Sequence, residues 1–175
     1  SARSVFPVRV IKIIMARTAA AYSFYKLQAG YRTNIDGTDG KFDASKGKII
    51  EKRIECIDFH YRVQARVLPT QISLQQYVGK HRGRFYSHSD ATPSQLGIHH
   101  EFKDIDGQIK DKSRKQYLTS KPIEVLESVA APAQDTWSIE NQSHATTGGA
   151  IQFFTPKREL KKHIVEQKKQ RSPSH

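Results

Sequence analysis

The apolar positions near the start of the chain follow a helical period. Between Val8 and Gln28, large side chains recur at steps of three and four residues, and Gly30 follows where such a helix would end. This spacing predicts an N-terminal helix. The β-branched residues at its beginning would also suit a strand.

Alternation of apolar and polar residues predicts strands over most of the remaining chain. Residues 48–69 alternate well enough for two strands, whereas the short amphipathic segment 71–77 predicts one or two helical turns. Asp106-Gly107 is typical of a hairpin tip or surface loop. Shorter strands are predicted at 83–87, 116–119, 123–126 and 148–154.

The last part of the chain has the pattern of a basic helix. Thr155 offers a side-chain oxygen for the N-cap, and Pro156 suits the first helical position. Leu160, Ile164 and Val165 would form a narrow apolar stripe, with Lys and Arg on the other faces. The combined pattern predicts an α+β fold: a small antiparallel β-sheet or partly open barrel, an N-terminal helix and a basic C-terminal helix.

The length of 175 residues favours one domain. We expect it to span 15–171, with 1–14 as a linker or junction because the chain begins with Ser1 and its one methionine is Met15. Residues 172–175 are expected to form a disordered tail. The apolar run near residue 10 is interrupted by charges and is too short for a membrane span, so none is predicted.

The chain is strongly basic, with 29 Lys and Arg against 17 Asp and Glu and a formal charge of +12. Such a charge favours a negatively charged partner, whether phosphate, nucleic acid or an acidic protein. The lone Cys56 excludes an internal disulfide and is interpreted as a buried, inert thiol. The histidines show no zinc-type spacing, and we expect the side chains of the neighbours His99 and His100 to diverge. No metal site is predicted.

Three short motifs carry the candidate chemistry. Arg84, followed by the aromatic pair Phe85 and Tyr86, could clamp a pyrophosphate while a ring stacks on a base or nicotinamide. Gly148 and Gly149 would let the backbone approach a ligand closely. The neutral amide of Gln152 could hold a ribose hydroxyl or a water molecule.

The order of these motifs is informative beyond their individual chemistry. Between residues 79 and 157 the chain carries, in sequence, Gly83-Arg84-Phe85-Tyr86-Ser87, Ala91-Thr92-Pro93, Lys121-Pro122-Ile123-Glu124-Val125, Ala130-Ala131-Pro132 and Gly148-Gly149-Ala150-Ile151-Gln152-Phe153. This order resembles the NAD-glycohydrolase toxin family typified by the tuberculosis necrotizing toxin. The pattern departs from that family where Ala150 or Thr147 stands in place of a third glycine.

The resemblance implies hydrolysis of the bond between nicotinamide and ribose in NAD or NADP, with the dinucleotide as substrate and no cofactor. It implies that Arg84 holds the pyrophosphate, that Gln152 orients the ribose or the attacking water, and that Phe85 or Tyr86 provides a stacking wall. The third residue implied by the family is basic, and the candidates are Arg82, His88 and Arg114.

The same resemblance implies a secreted or injected protein that acts in the cytosol of a target cell. An acidic immunity or inhibitor protein would then be the expected partner, with the basic C-terminal helix as its dock.

Other functions stay open at this point. Tyr61-Arg62-Val63 looks like the strand that opens the ADP-ribosyltransferase fold, although the late catalytic glutamate of those enzymes is missing after Gln152. Interleaved basic and aromatic residues at 80–86 would suit a ribonuclease or nucleic-acid-binding domain. A basic adaptor without catalysis is the third alternative.

Overall fold

The computed structural model of the chain describes residues 7–28, 44–80, 82–155 and 160–168. Its longer elements are helices α1 (Val8–Gln28) and α2 (Ala44–Glu55) and strands β1 (Gln64–Leu68), β2 (Ser73–Val78), β3 (Phe85–Ser87), β6 (Ser113–Thr119), β7 (Ile123–Val129) and β10 (Ile151–Phe154). The shorter ones are β4 (Glu101–Lys103), β5 (Ile109–Asp111), β8 (Gln134–Asp135), β9 (His144–Ala145), α3 (Leu160–His163), β11 (Ile164–Gln167) and a 3₁₀ turn at Ser94–Leu96.

The strands form one large sheet in the order β1-β7-β10-β3-β2-β6-β11, with antiparallel pairing throughout. Strands β4 and β5 make a separate hairpin, as do β8 and β9. The predicted α+β class is confirmed, and the sheet is open. The N-terminal helix is confirmed as α1, and the Asp106-Gly107 turn joins β4 to β5.

The two faces of the large sheet bury different partners. On one face, the buried apolar residues that the structure describes all come from strands, and we call them the strand-only cluster: Leu68, Leu74, Tyr86, Tyr117, Ile123, Val125, Phe153 and Ile164. On the other face, Phe154 and Leu126 pack against residues of the two long helices, among them Phe24, Tyr25 and Ile50. None of the described helices is long and apolar enough to cross a membrane.

The strand predicted over 49–57 is wrong, because these residues form the second half of helix α2 and the turn after it. Ile50 and Ile54 are four residues apart, so one face of a helix presents both to the cluster under α1. The spacing of the isoleucines fits both the helical period and the strand period, and packing against the sheet selects the helix.

The helical turns predicted at 71–77 are also wrong, because β2 runs through this segment and pairs with β6 from Ser73 to Val78. The alternation was hidden by two glutamines, Gln75 and Gln76, which are buried although their side chains are polar.

The C-terminal helix ends earlier than predicted. Leu160–His163 is helical, but Ile164–Gln167 is strand β11, which pairs with β6 along the sheet edge. Ile164 enters the strand-only cluster, whereas Val165 is exposed, so the two side chains do not share one stripe. Thr155 pairs with Arg84 through N–H and hydroxyl bonds to the Arg84 carbonyl, which extends the contact of β10 with β3.

Other expectations lie partly outside the described residues. Pro156 and the tail at 172–175 are among these, and so are residues 1–6. Residues 8–14 form the first turns of α1 rather than an irregular linker, while the predicted bounds of the domain stay a prediction.

Gly148 is expected to be essential for stability. Its φ is +62°, and a Cβ there would lie 2.5 Å from the Ala130 carbonyl oxygen. Gly148→Ala should therefore lower the free energy of unfolding by more than about 2 kcal/mol, through backbone strain plus the clash. Urea unfolding measures this.

Gly149 supplies the matched control. Its φ is +99°, yet no atom of the described residues lies within 4 Å of an added Cβ. Gly149→Ala should lower the stability by only about 1 to 2 kcal/mol, from backbone strain. Equal losses for the two variants would contradict the packing role of Gly148.

Candidate functional site

A cleft of about 330 Å³ opens over strands β2, β3 and β10. Its volume is that of a small-molecule site. The walls come from the end of α2, from the loop after the 3₁₀ turn and from the segment that leads through β8. The lining residues are Cys56, Gln75, Gln76, Tyr77, Gly83, Arg84, Phe85, Tyr86, Ser87, Leu96, Gly97, Ile98, Ala131, Ala133, Trp137 and Gln152.

A row of polar side chains crosses the sheet at this cleft. Ser128, Gln152, Ser87 and Gln75 are direct partners in successive pairings of β7, β10, β3 and β2, so they lie on one face. Each is at most 3% exposed. We call these four residues the polar row. Burying polar groups in a sheet is unfavourable unless they are hydrogen-bonded, so such a row is typical of a site that handles a polar ligand.

Gln152 is held firmly at the edge of the cleft. Its amide nitrogen donates to the Ser128 hydroxyl and to the Cys56 carbonyl, both at 3.1 Å. These bonds fix the plane of the amide and hence the direction of its oxygen. Cys56 lies just after α2 rather than in a strand, and burial raises the pKa of its thiol, which therefore stays protonated at neutral pH.

Gln75 links the polar row to the guanidinium of Arg114. Its amide nitrogen donates to the Ser87 hydroxyl and to the Ala91 carbonyl, and its oxygen accepts from Arg114 Nε at 2.6 Å. A second nitrogen of Arg114 donates to the Ser89 carbonyl. Every polar atom of the Gln75 amide thus has a partner, although the residue is fully buried.

Arg84 carries the positive charge at the cleft. Its guanidinium lies 4.8 Å from the ring centre of Phe154, and its Nε donates to the Thr155 carbonyl at 3.3 Å. The guanidinium of Arg53 lies over the same ring at 4.7 Å. Burial, and then the repulsion from Arg53, lowers the pKa of Arg84 to about 10. Among the described residues, no carboxylate forms an ion pair with either arginine, so an anion would relieve this repulsion.

The two aromatic candidates separate onto opposite faces of the sheet. Phe85 lines the cleft and packs edge-on against Phe154 at 5.2 Å. The ring of Tyr86 lies in the strand-only cluster, edge-on to Tyr117, and its hydroxyl accepts from Arg82. Both residues line the cleft, but Tyr86 is fully buried with its ring in that cluster, so Phe85 is the one placed to offer a ring to a ligand.

The predicted glycines fall outside the lining of this cleft. Gly148 is packed against the backbone of residues 130–132, where a side chain has no room. Gly149 lines a separate hollow beside Gln95, which also includes His88. The glycines shape the turn that leads into β10, and their placement gives no support to direct substrate contact.

Among the three candidates for a further basic residue, Arg114 is the one that reaches the polar row. Arg82 lies over the Tyr117 ring at 4.6 Å and donates to the Ile164 carbonyl, so it links β11 to the strand-only cluster. His88 packs edge-on against Phe153 beside the separate hollow.

Sequence reasoning missed Trp137, the single tryptophan, which lines the cleft with 57% of its surface exposed. Its loop is organised by Asp135, which is fully buried and accepts from the backbone N–H groups of Trp137, Ser138 and His99. Lys112 donates to the His99 carbonyl and to the Ser138 hydroxyl. A lone tryptophan in an otherwise polar loop was the available signal.

His99 and His100 do not diverge as predicted, because the chain at this point is irregular rather than strand or helix. Their ring centres are 4.5 Å apart, and the ring of His144 stacks on His99 at 3.6 Å. Burial, and then the neighbouring His144 and His100, lowers the pKa of His99.

Comparison with known proteins places the chain among the bacterial toxins. It belongs to the family described as bacterial toxin 46, whose model matches residues 20–161. The family resemblance inferred from the motif order is therefore confirmed.

One relative is the NAD(P)(+) glycohydrolase toxin Tse6 of Pseudomonas aeruginosa, which is 34% identical over 132 residues. The match covers 71% of this chain and 30% of Tse6, so the chain spans about a third of that protein. A solved structure of Tse6 in complex with Tsi6 shares the fold, with a TM-score of 0.66 at 24% identity over 90% of this chain and 98% of that one. A structure of Rhs1-CT with its cognate immunity protein RhsI1 aligns with a TM-score of 0.44 at 16% identity, over 61% and 78% of the two chains.

The buried Asp135 is expected to make stability depend on acidity. Burial alone would raise its pKa, but the hydrogen bonds from His99 and Ser138 and the charge of Lys112 lower it overall. Its contribution is therefore present above the ordinary aspartate pKa of about 3.9 and is lost as the pH falls through the lower folded value.

Asp135→Asn should be less stable than the wild type at neutral pH and should lose less stability on acidification to about pH 2. Urea unfolding at a series of pH values measures both effects. Asp106→Asn, at an exposed aspartate of the β4–β5 turn, is the control that should retain the wild-type slope. An unchanged slope in Asp135→Asn would contradict this role.

Proposed function

We propose that this chain is the catalytic domain of an NAD(P)⁺ glycohydrolase toxin, which cleaves the bond between nicotinamide and ribose. The observation that carries the proposal is the cleft itself, because Arg84 and Gln152 both line it although they are 68 positions apart, 152 less 84, in the sequence. Membership of the bacterial toxin 46 family and the identity with Tse6 support the same reaction.

The arginine side of the cleft suits the pyrophosphate. The guanidiniums of Arg84 and Arg53 both lie close to the ring of Phe154, and neither forms an ion pair with a described carboxylate. A diphosphate would neutralise both guanidiniums and could accept paired hydrogen bonds from Arg84. Arg53 does not line the cleft, so its part is to strengthen the positive potential there.

The polar row suits the ribose next to the scissile bond. Gln152 is neutral, so its amide oxygen can hold a hydroxyl or a water molecule without adding charge near the developing cation, while Gln75, whose amide is fully bonded, helps to fix the row. Loss of nicotinamide leaves an oxocarbenium-like sugar, and the protein contributes mainly by positioning and by electrostatic stabilisation. Arg114 acts through Gln75, whose amide it orients.

Aromatic side chains suit the leaving base. Trp137 offers an exposed ring at the cleft, and Phe85 offers a partly buried one. Either could stack on nicotinamide in a site closed by the loop that Asp135 holds. The stacking wall expected from sequence is therefore assigned to Phe85 and extended to Trp137.

The biological setting follows from the family. We propose that the toxin is secreted or injected by its producer and acts in the cytosol of a target cell. The solved Tse6 structure is a complex with Tsi6, and the charge of +12 on the present chain suits an acidic immunity protein. Because β11 occupies Ile164–Gln167 within the predicted basic helix, we do not assign the dock for that partner to a helix.

The test is to incubate the purified chain with NAD⁺ and, separately, with NADP⁺, and to follow the release of free nicotinamide. Release is expected without any acceptor protein. Release only in the presence of an acceptor that becomes modified would indicate an ADP-ribosyltransferase. No release from either dinucleotide would overturn the proposal.

Arg84→Ala should lower kcat/KM by about 100-fold, because a charge-assisted contact to the pyrophosphate is lost. Arg66→Ala removes an arginine that pairs with Glu127 outside the cleft and should leave the rate unchanged. Equal rates in the two variants would keep the activity but discard Arg84 as part of the site.

Gln152→Ala should lower the rate of nicotinamide release to a similar extent. Since Gln152 also supports the fold, Ser128→Ala is the matched control: it removes one hydrogen-bond partner of the amide while leaving the amide in place. The expected result is a loss of stability in both variants, a large loss of activity in Gln152→Ala and a much smaller one in Ser128→Ala, where the amide keeps its bond to the Cys56 carbonyl. Equal losses of activity in the two variants would indicate that Gln152 has a structural role alone.

A further inference from the structure

A cluster of metal-binding side chains lies behind the wall of the cleft. His99, His100 and Glu101 each offer one ligand atom, and these atoms lie within 4.8 Å of one another. In a tetrahedral site with bonds of about 2.1 Å, ligand atoms are roughly 3.4 Å apart, so small side-chain rotations would bring the three together. The sequence predicted no metal site because neighbouring histidines were expected to diverge.

The ring of His100 is oriented as a metal ligand usually is. Its Nδ1 lies 3.0 Å from a carboxylate oxygen of Asp111, across the β4–β5 hairpin. Ligating histidines commonly donate their second ring N–H to a carboxylate, which fixes the tautomer and leaves the other nitrogen free for the ion. Nε2 of His100 is the nitrogen that remains.

His99 has a buried nitrogen that faces a carboxylate. Its Nε2 is inaccessible and makes no short hydrogen bond among the described residues. Glu101 Oε1 lies 3.4 Å away, at ion-pair distance and beyond the usual length of a hydrogen bond. A buried polar atom without a partner is unfavourable, and a shared cation would satisfy this nitrogen and the carboxylate together.

We propose that His99, His100 and Glu101 bind a divalent transition-metal ion of the Zn²⁺ type. Two imidazoles and one carboxylate form a donor set that zinc accepts, with a further position left for water. The role is structural, because the cluster does not line the cleft but lies next to Gly97 and Ile98, which do. Bound metal would fix the backbone of this wall and the ring stack with His144.

The proposal is tested with the full chain, stripped of metal by a chelator and then titrated with Zn²⁺ in a calorimeter. Saturable binding of one ion per chain is expected, together with a rise in Tm. Replacing Zn²⁺ by Co²⁺ should give the visible absorption of a histidine-ligated cobalt complex. These readouts do not depend on NAD⁺ hydrolysis, so the proposal stands or falls independently of the proposed function.

Two ligand variants avoid disturbing the buried ring. His100→Ala removes a largely exposed imidazole, and Glu101→Gln keeps the shape of the side chain. Each should weaken Zn²⁺ binding by at least about tenfold, and Asp111→Asn should weaken it less than either.

His60→Ala is the matched control, because His60 also lies beside an aspartate, Asp58, at 3.1 Å, but outside this cluster. It should bind Zn²⁺ as the wild type does. Absence of saturable binding would overturn the proposal. Binding that is unchanged in both His100→Ala and Glu101→Gln would also overturn it, since the ion would then lie on other histidines.

Discussion

Strand β10 is hydrogen-bonded on both edges, to β7 and to β3. The rest of the structure depends on how its side chains alternate between the two faces of the sheet. Phe153 enters the cluster on one face of the sheet, whereas Gln152 and Phe154 lie on the other. A slip of one residue would put the amide among apolar side chains and a ring in the polar row. The apolar core therefore fixes the register of the site, and the hydrogen bonds to Ser128 and to the Cys56 carbonyl then orient the Gln152 amide.

The same face of the sheet changes character along its strands. Around Phe154 it is covered by α1 and α2, and around Gln152 it carries the polar row. Arg84 lies at the boundary, with its guanidinium over the Phe154 ring at the edge of the helix-covered core. Because Arg84 is partly buried, water screens its charge less and its electrostatic interactions are stronger. The cleft thus occurs where helical cover ends, and the charge of Arg84 lies at that point.

The sequence predicted what local pattern determines and missed what depends on burial. Strands β3, β7 and β10 have clear alternation, and Gln152 lies in β10 while Arg84 immediately precedes β3. The segment of helix α2 was predicted as a strand, because its isoleucine spacing fits both periods. The segment of strand β2 was predicted as helical turns, because its glutamines are polar although they are buried. The contributions of Gln75 and Trp137 depend on pairings across the sheet and on a buried aspartate, which sequence spacing does not reveal.

The wall of the cleft is held from behind by charges that never reach the ligand. Asp135 is fully buried and Lys112 is nearly so, and their charged atoms are 3.8 Å apart. The ion pair alone would not offset the loss of hydration of two buried charges. Asp135 also accepts hydrogen bonds from three backbone N–H groups, and Lys112 also donates hydrogen bonds to two oxygens. Because these partners come from both loops of the wall, neither loop can move without leaving a buried charge unsatisfied, and Trp137 is held at the cleft by that constraint.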